Sequence, residues 1–284
     1  MLSEIIFAIG AMLSWGFADF LAANAVRKVA VLKIFFWVQL LGLFIISLLF
    51  LSSFNFPSLS LYIILILLFS GFLRVAAFFS FYKGLRVGKA SIVSPLSSCW
   101  AVVTVILSLT FLHEKLSFSQ NIGIILAIMG AVLASFKWSD LIGLKIRKFE
   151  SGIKYAVIAA LGFGISGFLF NTLADKFGWF ISTFLIQIAM VLYIMAYALP
   201  TKKDVKFPKN VGLFIIIIAI LEVIGLFSYM QGIATQYTAI TAPISSASPI
   251  VVVILARIFF KEKLEINQMV GVASILGSLI LLSL

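Results

Sequence analysis

One cysteine, one histidine and ten acidic residues in 284 positions leave little from which a soluble active site is assembled. Cys99 lies inside an apolar run, so no internal disulfide forms and a cysteine-based metal site is excluded. His113 sits beside Glu114 at the end of an apolar run, and a histidine-ligated metal has no second ligand of its kind. No ATP-binding motif is present, so no nucleotide cofactor is expected. Charged residues make up only 11% of the chain, and no polar stretch is long enough for a separate soluble domain. The net charge of +11 comes from short basic clusters between apolar runs, not from a basic stripe on a polar surface, which argues against nucleic acid as a partner. The first apolar run starts at Ile5 with no basic segment before it and no small-residue cleavage pattern after it, and reads as a retained helix.

What the chain does have is apolar surface: 63% hydrophobic residues and a mean hydropathy of +1.22. That composition describes an integral membrane protein, because a helix crossing the hydrocarbon needs about 20 predominantly apolar residues. Ten such stretches are expected: Ile5–Val26, Val31–Leu51, Leu59–Phe81, Ala90–Leu112, Asn121–Phe136, Ile153–Ala174, Phe180–Leu199, Val211–Met230, Thr238–Phe260 and Ile266–Leu284. They are apolar on nearly every face, unlike the alternating ten-residue pattern of a membrane β-barrel, so the fold class is all-α.

The connection Lys137–Lys154 holds five Lys or Arg and divides the chain into two halves of five spans, 1–136 and 153–284, joined by a basic linker over 137–152. An odd number of spans inserts the second half upside down. Of the 21 Lys and Arg, eighteen lie in or beside the connections after spans one, three, five, seven and nine, two on the other side (Lys115 and Lys176), and Arg74 within a span. Basic residues near span ends stay cytoplasmic, so both termini are expected on the outer face of the cell membrane.

The halves repeat at a constant offset of 148 residues. From Gly84 to Gly123, 15 of 40 positions are identical to their counterparts; they include Pro95, Ser97 and Ser98 with Pro243, Ser245 and Ser246, and Glu114-Lys115-Leu116 with Glu262-Lys263-Leu264. Aliphatic matches carry little weight in apolar segments, whereas Pro-x-Ser-Ser and Glu-Lys-Leu at one offset are hard to obtain by chance. Leu13, Gly16, Phe20, Lys28 and Gln39 keep the register with Leu161, Gly164, Phe168, Lys176 and Gln187. Two antiparallel copies about an axis in the membrane plane are a transporter arrangement, in which exchanging the copies' conformations moves access from one side to the other.

These residues resemble the drug/metabolite transporter superfamily, in its ten-helix branch with two EamA-type repeats. The resemblance covers essentially the whole chain and rests on the repeated Pro, the acid-basic-Leu loop, and Gln120 and Gly123 with Gln268 and Gly271. It implies helices one, three, four, six, eight and nine around a central cavity, with the fifth and tenth at the periphery or at a homodimer contact. Members usually keep both termini in the cytoplasm, opposite to the charge distribution, which is followed here.

Charges in mid-span cost several kcal/mol unless paired or hydrated, which makes Asp19, Arg74 and Glu222 functional candidates. Arg74 and Glu222 are equivalent under the repeat and are expected to meet across the cavity, either as a pair opened by substrate or a proton, or as a permanent bridge. An amino acid suits such a pair, its carboxylate on the guanidinium and its ammonium on the carboxylate. Asp19, two turns before Arg27, either salt-bridges locally or meets substrate. Trp15 and its counterpart Phe163 flank the cavity or pack against lipid, and Tyr229 shares the helical face of Glu222. Pro95 and Pro243 kink equivalent helices; Ser98 and Ser246 satisfy the freed carbonyls or bind substrate; Pro249 adds a second break without a counterpart. Gln39 and Gln187 read as glue between helices. Gly162-Phe163-Gly164-Ile165-Ser166-Gly167 mimics a dinucleotide motif but lacks the preceding strand, and close helix packing explains it better.

The expected function is therefore secondary transport of small organic metabolites by alternating access, with amino acids or similar amphiphiles exported, driven by the solute's own gradient or by protons. Transport of a sugar-like or lipid-linked substrate is the alternative within transport, and a non-transporting scaffold the alternative outside it. No His, Cys or paired-carboxylate cluster within the spans points to an enzyme.

Overall fold

The computed structural model describes residues 2–50, 60–112, 117–134, 138, 151–201, 204–234, 245 and 247–282, which hold helices and no strand. Among them, the helices are α1 (Leu2–Lys28), α2 (Val31–Phe50), α3 (Leu61–Val87), α4 (Ala90–Ser98), α5 (Trp100–Leu112), α6 (Phe118–Ala134), α7 (Ile153–Ala198), α8 (Gly212–Ala234), α9 (Ser248–Phe259) and α10 (Ile266–Leu282). Six segments are long and apolar enough to cross a bilayer by themselves, within α1, α2, α3, the two halves of α7, and α8 with the short turn before it. In such helices the backbone hydrogen bonds are made internally, as lipid requires. Large apolar side chains remain bare on the outer surface, Leu61, Leu213 and Phe118 at 73%, 71% and 82% exposure, which fits a bundle solvated by lipid.

Three expected spans differ in form. The fourth is broken, with α4 ending at Ser98, Cys99 in a turn, and α5 resuming at Trp100. Pro95 inside α4 offers no N–H to the carbonyl of Ser91, and the local bonds Ser98 Oγ to Ser94 O (3.1 Å) and Cys99 Sγ to Pro95 O (3.9 Å) gather at the break. Spans six and seven run as one element, α7, interrupted at Gly178 with φ 78° and ψ 162°. A Cβ at Gly178 would meet nothing within 4 Å, so the residue is needed for its left-handed backbone and not for space.

The connections after odd-numbered spans meet at one end of the bundle. Arg27 contacts Glu262, Lys33 contacts Asp204, Trp37 Nε1 donates to Val205 O (2.8 Å), and Lys89 Nζ donates to Lys263 O (2.7 Å). The backbone of Gly88 approaches Ser151 O so closely that a Cβ there would sit 2.1 Å away, which brings in the chain entering the sixth span. Successive spans therefore alternate in direction, and two sets of five point opposite ways.

The repeat is also visible in packing. A Cβ on Gly16 would lie 2.5 Å from Val251 Cβ and 2.8 Å from Ser248 O; on Gly164 it would lie 2.4 Å from Val103 Cβ and 2.8 Å from Trp100 O. Each of these three residue pairs (16 and 164, 251 and 103, 248 and 100) is separated by the same 148 positions. The helices thus cross between halves: α1 packs on α8 and α9, and the first part of α7 on α3 and α5. Away from this centre α6 lies on α10, where Gly130 and Gly271 bring the two backbones together. The Gly162–Gly167 run packs as expected, with Gly162 on Ala77, Gly164 on Val103 and Gly167 on Thr104.

Candidate functional site

A cavity of about 530 Å³ opens between the halves, within the range of small-ligand sites. Trp15 and Asp19 of α1, Arg74 of α3, Ser98 at the end of α4, Phe163 of α7, and Glu222 and Tyr229 of α8 all line it. Seven of the eight expected ligand-facing residues are thus on one wall system; Ser246 and the hinge candidate Pro243 lie outside the described residues. The ring of helices is wider than the resemblance implied, because α2 contributes Gln39 and Gly42 and the second part of α7 contributes Trp179, Thr183 and Gln187.

Local packing sets the level of the charges. Along α1 and α8, Gly10 faces Ser228 and Trp15 lies on Gly225, where a Cβ would be 2.5 Å from the indole. The two helices therefore run antiparallel, and one turn further along α1 from Trp15 brings Asp19 opposite Glu222, one turn back from Gly225. On the other side of the cavity α3 and α7 repeat this contact, with Gly162 on Ala77 and Ser70 Oγ donating to Ser166 O (3.5 Å). There Arg74 occupies the place of Glu222, and Gly167 the place of Asp19. The side of the cavity formed by α1 and α8 carries two carboxylates, Asp19 and Glu222, and the side formed by α3 and α7 carries a guanidinium, Arg74.

Two expectations are corrected here. Arg74 and Glu222 face the same cavity and act on each other electrostatically, yet no direct ion pair joins them. The permanent bridge is thus not formed in this conformation. Asp19 does not pair with Arg27. It lines the cavity within electrostatic reach of Glu222, while Arg27 is held by Glu262 (2.8 Å), Leu85 O (3.3 Å) and Gly88 O (3.2 Å).

Aromatic rings wall the cavity on both sides. Trp15 stands 5.6 Å from Tyr229, Tyr229 5.8 Å from Trp179, and Trp179 5.0 Å from Phe170; opposite, Phe163 stands 4.8 Å from Phe78. Trp179 was not anticipated; its position beside the chain break at Gly178 is the only trace of it in the sequence. Gln187 Nε2 donates to Gln39 Oε1 (2.8 Å) and Gln39 O (3.0 Å), the expected glue. A residue that touches its own counterpart lies on the axis relating the halves, so this pair marks the axis at the cavity wall. Ser98 spends its hydroxyl on Ser94 O, the local role, whereas the buried hydroxyl of neighbouring Ser97 lines the cavity without a hydrogen-bond partner. Pro249 follows a turn at Ala247 that separates the helical Ser245 from α9. It stands in the first turn of α9, where no backbone N–H is needed.

The basic end is sealed beneath the cavity. The Glu262 carboxylate accepts from Arg27 Nη2 (2.8 Å), Ala90 N (3.1 Å), Ser91 N (3.0 Å) and Ser91 Oγ (2.6 Å), and so caps the N-terminus of α4. Arg27 lies 3.9 Å over the Phe260 ring. The repeated Glu-Lys-Leu motif signalled this residue without revealing its partners. The cavity lining reaches Trp179, Tyr229 and Ser245 toward the opposite end.

The sequence profile of the EamA-like transporter family matches residues 2–136 and 150–284, one copy on each half. The chain belongs to the EamA-like transporter family. It is thereby a member of the drug/metabolite transporter superfamily and a multi-pass membrane transporter. It is 25% identical over 220 residues to a protein of Archaeoglobus fulgidus named as an uncharacterized transporter, covering 75% of each chain. A 54-residue stretch is 54% identical to an uncharacterized protein of Methanocaldococcus jannaschii, spanning 19% of this chain and 39% of that relative. A solved crystal structure of a protein 14% identical superposes with a TM-score of 0.65 over 99% of this chain and 96% of its own, a likeness of fold.

Proposed function

We propose that this EamA-family protein is a secondary transporter of small organic metabolites, of the amino-acid or amphiphile class, working by alternating access and exporting across the cell membrane. The observation that carries this reading is the placement of Arg74 and Glu222, equivalent in the two halves, on one cavity without contact between them. A charge in the membrane interior is retained for function by default, and two unlike charges held apart fit a zwitterion between them. The aromatic walls then take an apolar portion of the solute. The contacts around Arg27 and Glu262 at the basic end, with the lining extending toward the other, support a cavity reached from one side at a time. The basic end faces the cytoplasm, following its Lys and Arg.

Replacing Arg74 by Ala or Glu222 by Gln is expected to abolish solute exchange in proteoliposomes while membrane abundance stays at the wild-type level. Wild-type exchange in both variants discards the reading.

A further inference from the structure

The cavity carries one more acidic group than its two-residue description explains. Asp19 and Glu222 stand level on α1 and α8, and Glu222 is in electrostatic reach of both Asp19 and Arg74. A zwitterionic amino acid between Arg74 and Glu222 satisfies those two groups and leaves Asp19 alone. Nothing else in the described structure neutralises it, since Arg27, the nearest cation along α1, is committed to Glu262 and to two backbone carbonyls. A bare carboxylate at this depth costs several kcal/mol, the more so beside a second one.

A second feature lies near the carboxylates, outside the cavity lining. The hydroxyl of Tyr82, on α3 two turns from Arg74 toward the sealed end, is completely buried, has no hydrogen-bond partner and feels the charge of both carboxylates. Trp15 and Tyr229 stand above the carboxylates, and aromatic faces there favour an organic cation. The repeat sharpens the point: the other half has Gly167 in place of Asp19, so the extra carboxylate is a departure from symmetry confined to one side.

We propose that Asp19 selects a second cationic group on the solute, so that the preferred substrate is a dibasic amino acid whose carboxylate faces Arg74, whose α-ammonium faces Glu222 and whose side-chain ammonium faces Asp19. This rests on the transport reading above and adds to it the net charge of the solute.

Three probes that differ by one group each test it by counterflow in proteoliposomes of the full-length protein: L-lysine, L-norleucine, which lacks only the side-chain ammonium, and cadaverine, which lacks only the carboxylate. Wild type is expected to exchange lysine over norleucine by about tenfold or more, the scale of one charge pair in a shielded site. Asp19→Asn is expected to erase or reverse that preference and Asp19→Glu to keep it, with thermal unfolding in detergent reporting that each variant is folded. Norleucine exchanged as well as lysine by wild type overturns the proposal, as does an unchanged preference in Asp19→Asn. Should Asp19→Asn fail to fold, the wild-type ratio and Asp19→Glu decide alone. Exchange of cadaverine but not lysine, dependent on Asp19, keeps the role of Asp19 and sinks the amino-acid reading; exchange of none of the three sinks both.

Discussion

Lys33 holds the Asp204 carboxyl below the ordinary carboxylate range through a direct hydrogen bond, helped by the backbone N–H of Lys206. A group whose pKa is lower folded than unfolded adds stability above its unfolded value, and that contribution disappears as pH falls through the folded one. Asp204→Asn is therefore expected to lower the melting temperature slightly at neutral pH, with the gap closing in acid once the wild-type carboxyl takes its proton. Melting curves across a pH series in detergent measure this, and a gap that persists below the acid transition contradicts it. The effect is small because the pair is solvated. At this scale the sequence exposed Asp19, Arg74 and Glu222 by the rarity of charge in apolar runs. It did not expose their partners, because a helix face becomes a cavity wall or a lipid contact only when a neighbour is placed beside it. Asp19 is the case in point: spacing alone put Arg27 within reach, and Glu262, far away in the chain, took Arg27 instead.

The helices themselves are held at their crossings by small residues. In the absence of a hydrophobic drive between helices in lipid, close van der Waals approach does this work, and Gly16 against Val251 with Gly164 against Val103 are its two symmetry-related points. A methyl group at either glycine meets Cβ and backbone atoms at 2.4–2.8 Å, so Gly16→Ala and Gly164→Ala are each expected to destabilise the fold by about 1–3 kcal/mol. Equilibrium unfolding in mixed micelles reads the change, and wild-type stability in both variants removes these contacts from the account. Equal effects at the two sites indicate equal packing. Spans and their direction were legible because apolar length and basic connections are local properties. The break at Cys99 followed from Pro95, whereas the role of Pro249 at a helix start depended on where α9 begins, which apolar periodicity does not mark.

On the scale of the whole molecule, the two halves are joined by the helices that cross between them and, further, by contacts at the axis and at the basic end. Gln39 and Gln187 join at the former; Arg27, Glu262 and the N-terminus of α4 join at the latter. If the seal is the closed gate of a carrier, loosening it shifts the population toward access from the basic side. Arg27→Ala and Glu262→Ala, in a Cys99→Ser background with Ser94→Cys at the cavity wall, are expected to raise labelling of the new thiol by an impermeant reagent in inside-out vesicles and not in intact cells. Faster labelling in intact cells instead reverses the membrane orientation proposed here, and unchanged labelling in both preparations removes the gate.

Composition, charge placement and a register that never slips determine from the sequence alone that this is a helical membrane protein made of two copied, oppositely inserted halves, since each depends on what neighbouring residues are. What stands opposite what was decided by the tertiary structure. The absence of a direct Arg74–Glu222 pair, the place of Asp19 on the cavity wall and the capture of Arg27 by Glu262 all depend on distances across the chain, which crossing angles and glycine contacts set and one-dimensional spacing does not contain.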